Sequence, residues 1–157
     1  MKKINLAFWS LFLSVFIIVN IAVAQAAYLS QSERSSEIKI TDAWARAGAP
    51  GQTVGAAYMT LNSAKNMTLI SVESSAAGSV EIHSMSMTNG VMKMRMLDRL
   101  NLTAGKPYKL APGGFHLMLF DLKQPLQTGK RVNLVLHFKD KANKTSAVKV
   151  AVPIREE

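Results

Sequence analysis

Cysteine is absent from this chain. That excludes disulfide staples, redox thiol pairs, thiolate zinc sites and the thiolate-bearing blue-copper ligand set. Sustained helical periodicity is also missing after residue 27, as is any later apolar run long enough to cross a bilayer. No internal repeat and no second domain can be read. Histidine occurs only three times, and 10 acidic residues face 19 Lys and Arg. With no disulfides, stability has to come from a packed core.

The first residues set the compartment. Lys2 and Lys3 precede an apolar run from Leu6 to Ala24, closed by the small residues of Ala22-Val23-Ala24-Gln25-Ala26-Ala27. Charge, apolar run and small-x-small in that order read as a secretory signal peptide over 1–26, with cleavage after Ala24 or Ala26. The run is long for an h-region, so a retained signal anchor is the competing reading. Either way the rest is expected outside the cytoplasm, in a periplasm. Residues 27–37 are polar and serine-rich and read as a flexible leader, 38–154 as one domain, and 155–157 as a short tail. Of the formal charge of +9, Lys2 and Lys3 carry two, leaving +7 after export. The basic residues are scattered and the location is wrong for nucleic acid, so no nucleic-acid partner is expected. A weak attraction to an anionic membrane surface or an acidic protein fits the charge better.

From Ile38 onward, short alternating apolar runs are separated by Gly, Pro, Asn and Asp. Strands are predicted at 38–46, 55–62, 67–74, 79–88, 91–98, 115–122, 131–139 and 146–153. Many short strands with turn signals between them indicate an all-β antiparallel sandwich or barrel. Asn89-Gly90 is the sharpest turn signal, because both central positions of a type I′ turn need positive φ. A two-residue loop there sets Met87 opposite Met92, Met85 opposite Met94 and His83 opposite Met96. Side chains two apart share a face, so those six residues fall together. Ile82, Ser84, Ser86, Val91, Lys93, Arg95 and Leu97 point the other way.

Methionine on a strand is most simply a flexible core filler. Two features count against that for the whole face. A buried strand face normally draws on Val, Ile, Leu and Phe, and an imidazole in an apolar core needs a hydrogen-bond partner. A second cluster follows the Pro112-Gly113-Gly114 turn. There Phe115, Leu117 and Leu119 form the natural core face, leaving His116 and Met118 facing outward. Thioethers are soft and neutral, so His/Met faces favour Cu(I) over Mg²⁺ or Ca²⁺. Glu81 is the only acid near the hairpin and shares the parity of His83, which makes it a supporting group. Nothing in this set suits hydrolysis or redox cycling.

The sequence His83-x10-Met94-x21-His116-x-Met118 resembles the signature of the PCuAC-type periplasmic copper chaperones in residue types and spacing. Asp42-Ala43-Trp44-Ala45-Arg46, Gly55-Ala56-Ala57-Tyr58-Met59, Leu110-Ala111-Pro112-Gly113-Gly114 and Phe120-Asp121-Leu122 are similar to further stretches of that family, across about Ile38 to Ile154. The resemblance implies a cupredoxin-like antiparallel β-sandwich or Greek-key barrel. It implies Cu(I) ligation by His83, Met94, His116 and Met118, with Met85 as an auxiliary. It also implies copper delivery to the CuA centre of a cytochrome oxidase, alongside Sco-type proteins. Some relatives carry a His/Met-rich C-terminal tail for a second copper ion; the sequence closes on Val152-Pro153-Ile154-Arg155-Glu156-Glu157, so a second site of that kind is not expected.

Met87, Met92 and Met96 are expected as a lip around the site. Met59 and Met67 are expected in the core, Trp44 and Tyr58 as core aromatics, and His137 as a surface or satisfied histidine. A monomer with no catalytic turnover is expected, since a copper oxidase would need more histidines than His137 to stabilise Cu(II). The rival from another class is a metal-free exported adhesion or assembly module with its methionines buried.

Overall fold

The structure is a computed structural model that describes residues 37–157. The expected signal peptide, and all of the expected leader except Glu37, lie outside those residues. Ten strands follow in order: β1 (Ile38–Arg46), β2 (Gly55–Ser63), β3 (Met67–Glu73), β4 (Ser79–Thr88), β5 (Val91–Leu97), β6 (Leu100–Leu102), β7 (Tyr108–Leu110), β8 (Phe115–Phe120), β9 (Arg131–Asp140) and β10 (Thr145–Arg155). The eight predicted strands are all present, and the all-β expectation holds. The two that were not predicted, β6 and β7, have three residues each, too few for an alternation to show. Strand β10 runs one residue into the expected tail, where Arg155 lies opposite Arg46.

The sheet closes on itself. Its order is β5-β4-β8-β7-β2-β1-β10-β9-β3-β6, and β4 also pairs with β3 while β8 also pairs with β2. Strands β5 and β6 are therefore outer additions to a barrel. Closure hides the backbone edges that an open sheet would present. Alternation fills the interior. Val132, Leu134, Leu136 and Phe138 of β9 are at most 2% exposed, and the residues between them are more open. Leu117 and Leu119 of β8 and Ala57, Met59 and Leu61 of β2 join them, and Met67 is buried as expected. Each large apolar side chain buried this way stabilises the fold by about 1.5–3 kcal/mol.

One irregularity turns Trp44 outward. Ile38 of β1 is buried and Ile40 packs against the core, but the register with β2 shifts between Thr41 and Trp44, where Asp42 has a φ of 52°. That bulge reverses the parity of the strand. Ala45 then points inward at 0% exposure, and Trp44 turns to the outer face. Trp44 is thus not a core aromatic, contrary to the sequence reading. Tyr58 is also on the outer face, between the inward Ala57 and Met59, although it is buried at 5%. His137 is partly exposed, in keeping with a surface histidine, and its Nε2 lies 3.4 Å from Glu73 Oε1 without a hydrogen bond.

Candidate metal centre

The hairpin forms as its sequence dictates. Asn89 and Gly90 have φ of 53° and 76°, and β4 pairs with β5 as Thr88↔Val91, Met87↔Met92, Met85↔Met94 and His83↔Met96. On the other flank of β4, β8 pairs as His83↔His116 and Glu81↔Met118. β8 in turn meets β2 with Met118 opposite Ala56, which brings Tyr58 into the row of His116. Tyr58 pairs with Trp44 on β1. One row of outer-face side chains therefore reads Met96, His83, His116, Tyr58, Trp44 across five strands.

The two imidazoles sit side by side with ring centroids 5.8 Å apart. Tyr58 lies 6.4 Å from His116, Phe120 lies 6.1 Å from His83, and Trp44 stacks at 4.6 Å on Tyr58. Arg155 covers Trp44 at 4.7 Å and Arg46 covers Tyr58 at 5.9 Å. Under that aromatic wall His116 is 4% and His83 9% exposed. His116 does occupy the face opposite Leu117 and Leu119, as the alternation requires. It faces outward from the barrel interior but is enclosed, because aromatic rings cover it from the sides.

Hydrogen bonding gives each ring a definite chemistry. His83 Nε2 lies 2.8 Å from Glu81 Oε2, and a carboxylate can only accept, so Nε2 carries the proton. Its Nδ1 is then a bare lone pair, buried with no partner. His116 Nδ1 lies 3.0 Å from the carbonyl oxygen of Gly114, which fixes its proton there and leaves the lone pair on Nε2. The same carbonyl accepts the Met85 amide at 3.1 Å. Gly113, at φ 77°, makes the turn that aims it. An imidazole tied at one nitrogen to a carboxylate or carbonyl and free at the other is the arrangement of a metal-binding histidine. An orphaned buried nitrogen otherwise costs about 1–3 kcal/mol.

The thioethers are less uniform. Met118 is half-buried on β8 beside Glu81, one step along the strand face from His116. Met94 stands one strand out and diagonal to His83, 52% exposed. Met85 is partly buried. Met87, Met92 and Met96 are 69%, 52% and 53% exposed, so this methionine face is not core. Among the described residues no group of three or more His, Cys, Asp or Glu comes together, so no hard-ion cage is formed there. Sequence reasoning reached both histidines, both thioethers and Glu81. It missed the Gly114 carbonyl, the outward Tyr58 and Trp44, and Phe120. Alternation with Ala57 and Met59 could have exposed Tyr58, but no local signal marks the bulge that turns Trp44.

The family model described as "Putative lipoprotein LpqE-like" matches residues 38–154. A relative in Leifsonia xyli subsp. xyli, named "Putative lipoprotein Lxx21020", is 30% identical over 79% of this chain and 73% of its own length. Among solved structures, the copper-bound PCuAC domain from PmoF2 superposes with a TM-score of 0.61 at 26% identity, over 77% of this chain and 94% of that domain. The solution structure of CuI-DR1885 from Deinococcus radiodurans gives 0.52 at 31% identity, over 75% and 79%. The barrel is thus the cupredoxin-like fold of PCuAC domains, and the resemblance read from the sequence holds across the domain.

Proposed function

We propose that this chain, which belongs to the LpqE-like family, is an exported carrier that holds Cu(I) and passes it to another protein. The observation that carries the proposal is the pair of enclosed imidazoles, each tied at one nitrogen and each presenting the other lone pair. In this reading His83 Nδ1, His116 Nε2, Met118 and Met94 are the ligands, with Met85 as an auxiliary. All four are uncharged, and the Glu81 carboxylate touches the set at His83. Four neutral, soft or borderline donors favour the monovalent ion over Cu(II). Glu81 accepts the Nε2 proton of His83, which holds the ring in place and raises the basicity of Nδ1.

Exposure suggests the order of exchange. The histidines and Met118 lie against the barrel, and Met94 is the open arm. An acceptor would displace Met94 first and then the deeper ligands, so the chain itself needs no catalytic turnover. The acceptor we infer is the CuA-bearing subunit of a cytochrome oxidase, with a Sco-type protein acting alongside, and the carrier works as a monomer. Support for that destination is the family resemblance. Support for export is the signal-like N-terminal segment together with the lipoprotein name of the family. These 157 residues hold no cysteine, so they offer no thiol to which a lipid could be attached.

An anaerobic Cu(I) titration against a chromophoric competitor tests the reading. One equivalent should be held tightly against the competitor by the native protein, and that tight equivalent should be lost in His83→Ala/His116→Ala. Failure of the native protein to compete would sink it in favour of the metal-free module.

A further inference from the structure

The outer half of the β4–β5 hairpin carries more thioether than the carrier site uses. Met87 and Met92 face each other across the turn-proximal end of the ladder, and Met85 is the diagonal neighbour of Met92 on the same face. The opposite face of the same segment holds Ser84, Ser86, Lys93 and Arg95. Met87 and Met92 stand in solvent at 69% and 52% exposure, where a strand face would ordinarily carry polar or β-branched residues. A protein-docking patch would set aromatic or Arg anchors among its methionines. This face is methionine alone.

We propose that Met85, Met87 and Met92 form a second, thioether-only site for a soft monovalent ion, Cu(I) or Ag(I). Directly paired strand residues have Cβ atoms about 4.5–5.5 Å apart and diagonal ones about 7–8 Å between Cα atoms. Methionine has three rotatable bonds, so arms of that length from these positions can reach one ion. Three neutral sulfurs suit a d¹⁰ ion of low charge and offer nothing to Mg²⁺, Ca²⁺ or Cu(II). Without imidazole the site binds more weakly than the histidine pair. It lies next to Met94, the open arm of that pair, because Met94 is the cross-strand partner of Met85. The tip is therefore a loading station from which an ion moves one residue pair inward. The site does not depend on the histidine pair for its existence.

Counting bound Ag(I) by native mass spectrometry of the purified protein, with the methionine methyl signals followed by NMR, tests this. The native protein should take up two equivalents, and the weaker should shift the methyls of Met85, Met87 and Met92. Met87→Leu/Met92→Leu keeps the bulk of an exposed turn and should lose one equivalent, retaining the tighter. His83→Ala/His116→Ala should lose the tighter and keep the tip site, which separates failure of this proposal from failure of the carrier reading. If every equivalent that the native protein binds survives the leucine variant, whether one or two, the tip site is overturned. A second equivalent that appears only with a dimer places the ion between two chains and also overturns it.

Discussion

His83 and Glu81 show how much chemistry one contact decides. With Nε2–H given to the carboxylate at 2.8 Å, Nδ1 is left as a ligand atom in a buried setting. Glu81→Ala should therefore weaken Cu(I) binding by about 10–100-fold without unfolding the barrel, as a competitor titration beside circular dichroism would show. Parity alone placed Glu81 on the correct side, so this contact was partly legible in the sequence. The Gly114 carbonyl was not, because a backbone oxygen has no residue type to read. Tyr58 gives a separate test. Burial raises its pKa above the ordinary 10.0, Arg46 opposes that and Glu157 adds to it. Folded Tyr58 keeps its proton where an unfolded tyrosine has begun to lose it. Its contribution to stability is complete below pH 10 and declines as pH rises towards the folded value. Denaturant midpoints measured upward from pH 9 should fall, and fall less steeply in Tyr58→Phe.

At the scale of elements, the β4–β5 hairpin was the most legible part of the molecule. Asn89-Gly90 fixed the loop, the loop fixed the register, and the register placed every methionine. The long strands followed from their alternation. Strands β6 and β7 escaped because three residues cannot show a period. The bulge of β1 escaped because Asp42 at positive φ leaves no pattern distinct from a continuous strand. The same register poses a sharp question, since Met96 is directly opposite His83 while Met94, the expected ligand, is diagonal to it. If Met94 is the ligand, Met94→Leu should lower Cu(I) affinity at least about tenfold, a loss of roughly 1.4 kcal/mol. Met96→Leu should leave it within about twofold. The opposite ranking in a competitor titration would assign the ligand to Met96.

For the whole molecule, the core of the barrel and the metal face are separate sides of the same strands. Leu117 fills the interior while His116 and Met118 flank it on the outer face. The barrel therefore does not need the ion in order to fold, but the ion should stabilise what it binds. At a free concentration a hundredfold above Kd the gain is about 2.7 kcal/mol, which should raise Tm by several degrees in calorimetry with Ag(I). His83→Ala/His116→Ala should lose most of that rise and keep a Tm near the native metal-free value. The metal-free module predicts no rise in either protein.

The central claim is a mixed donor set, two imidazoles joined by thioethers. The most direct measurement is copper K-edge X-ray absorption on the anaerobic protein loaded with one equivalent of Cu(I). The predicted first shell contains both imidazole nitrogen and sulfur, with its nitrogen contribution removed in His83→Ala/His116→Ala. A shell of oxygen and nitrogen alone, or of sulfur alone, would contradict it.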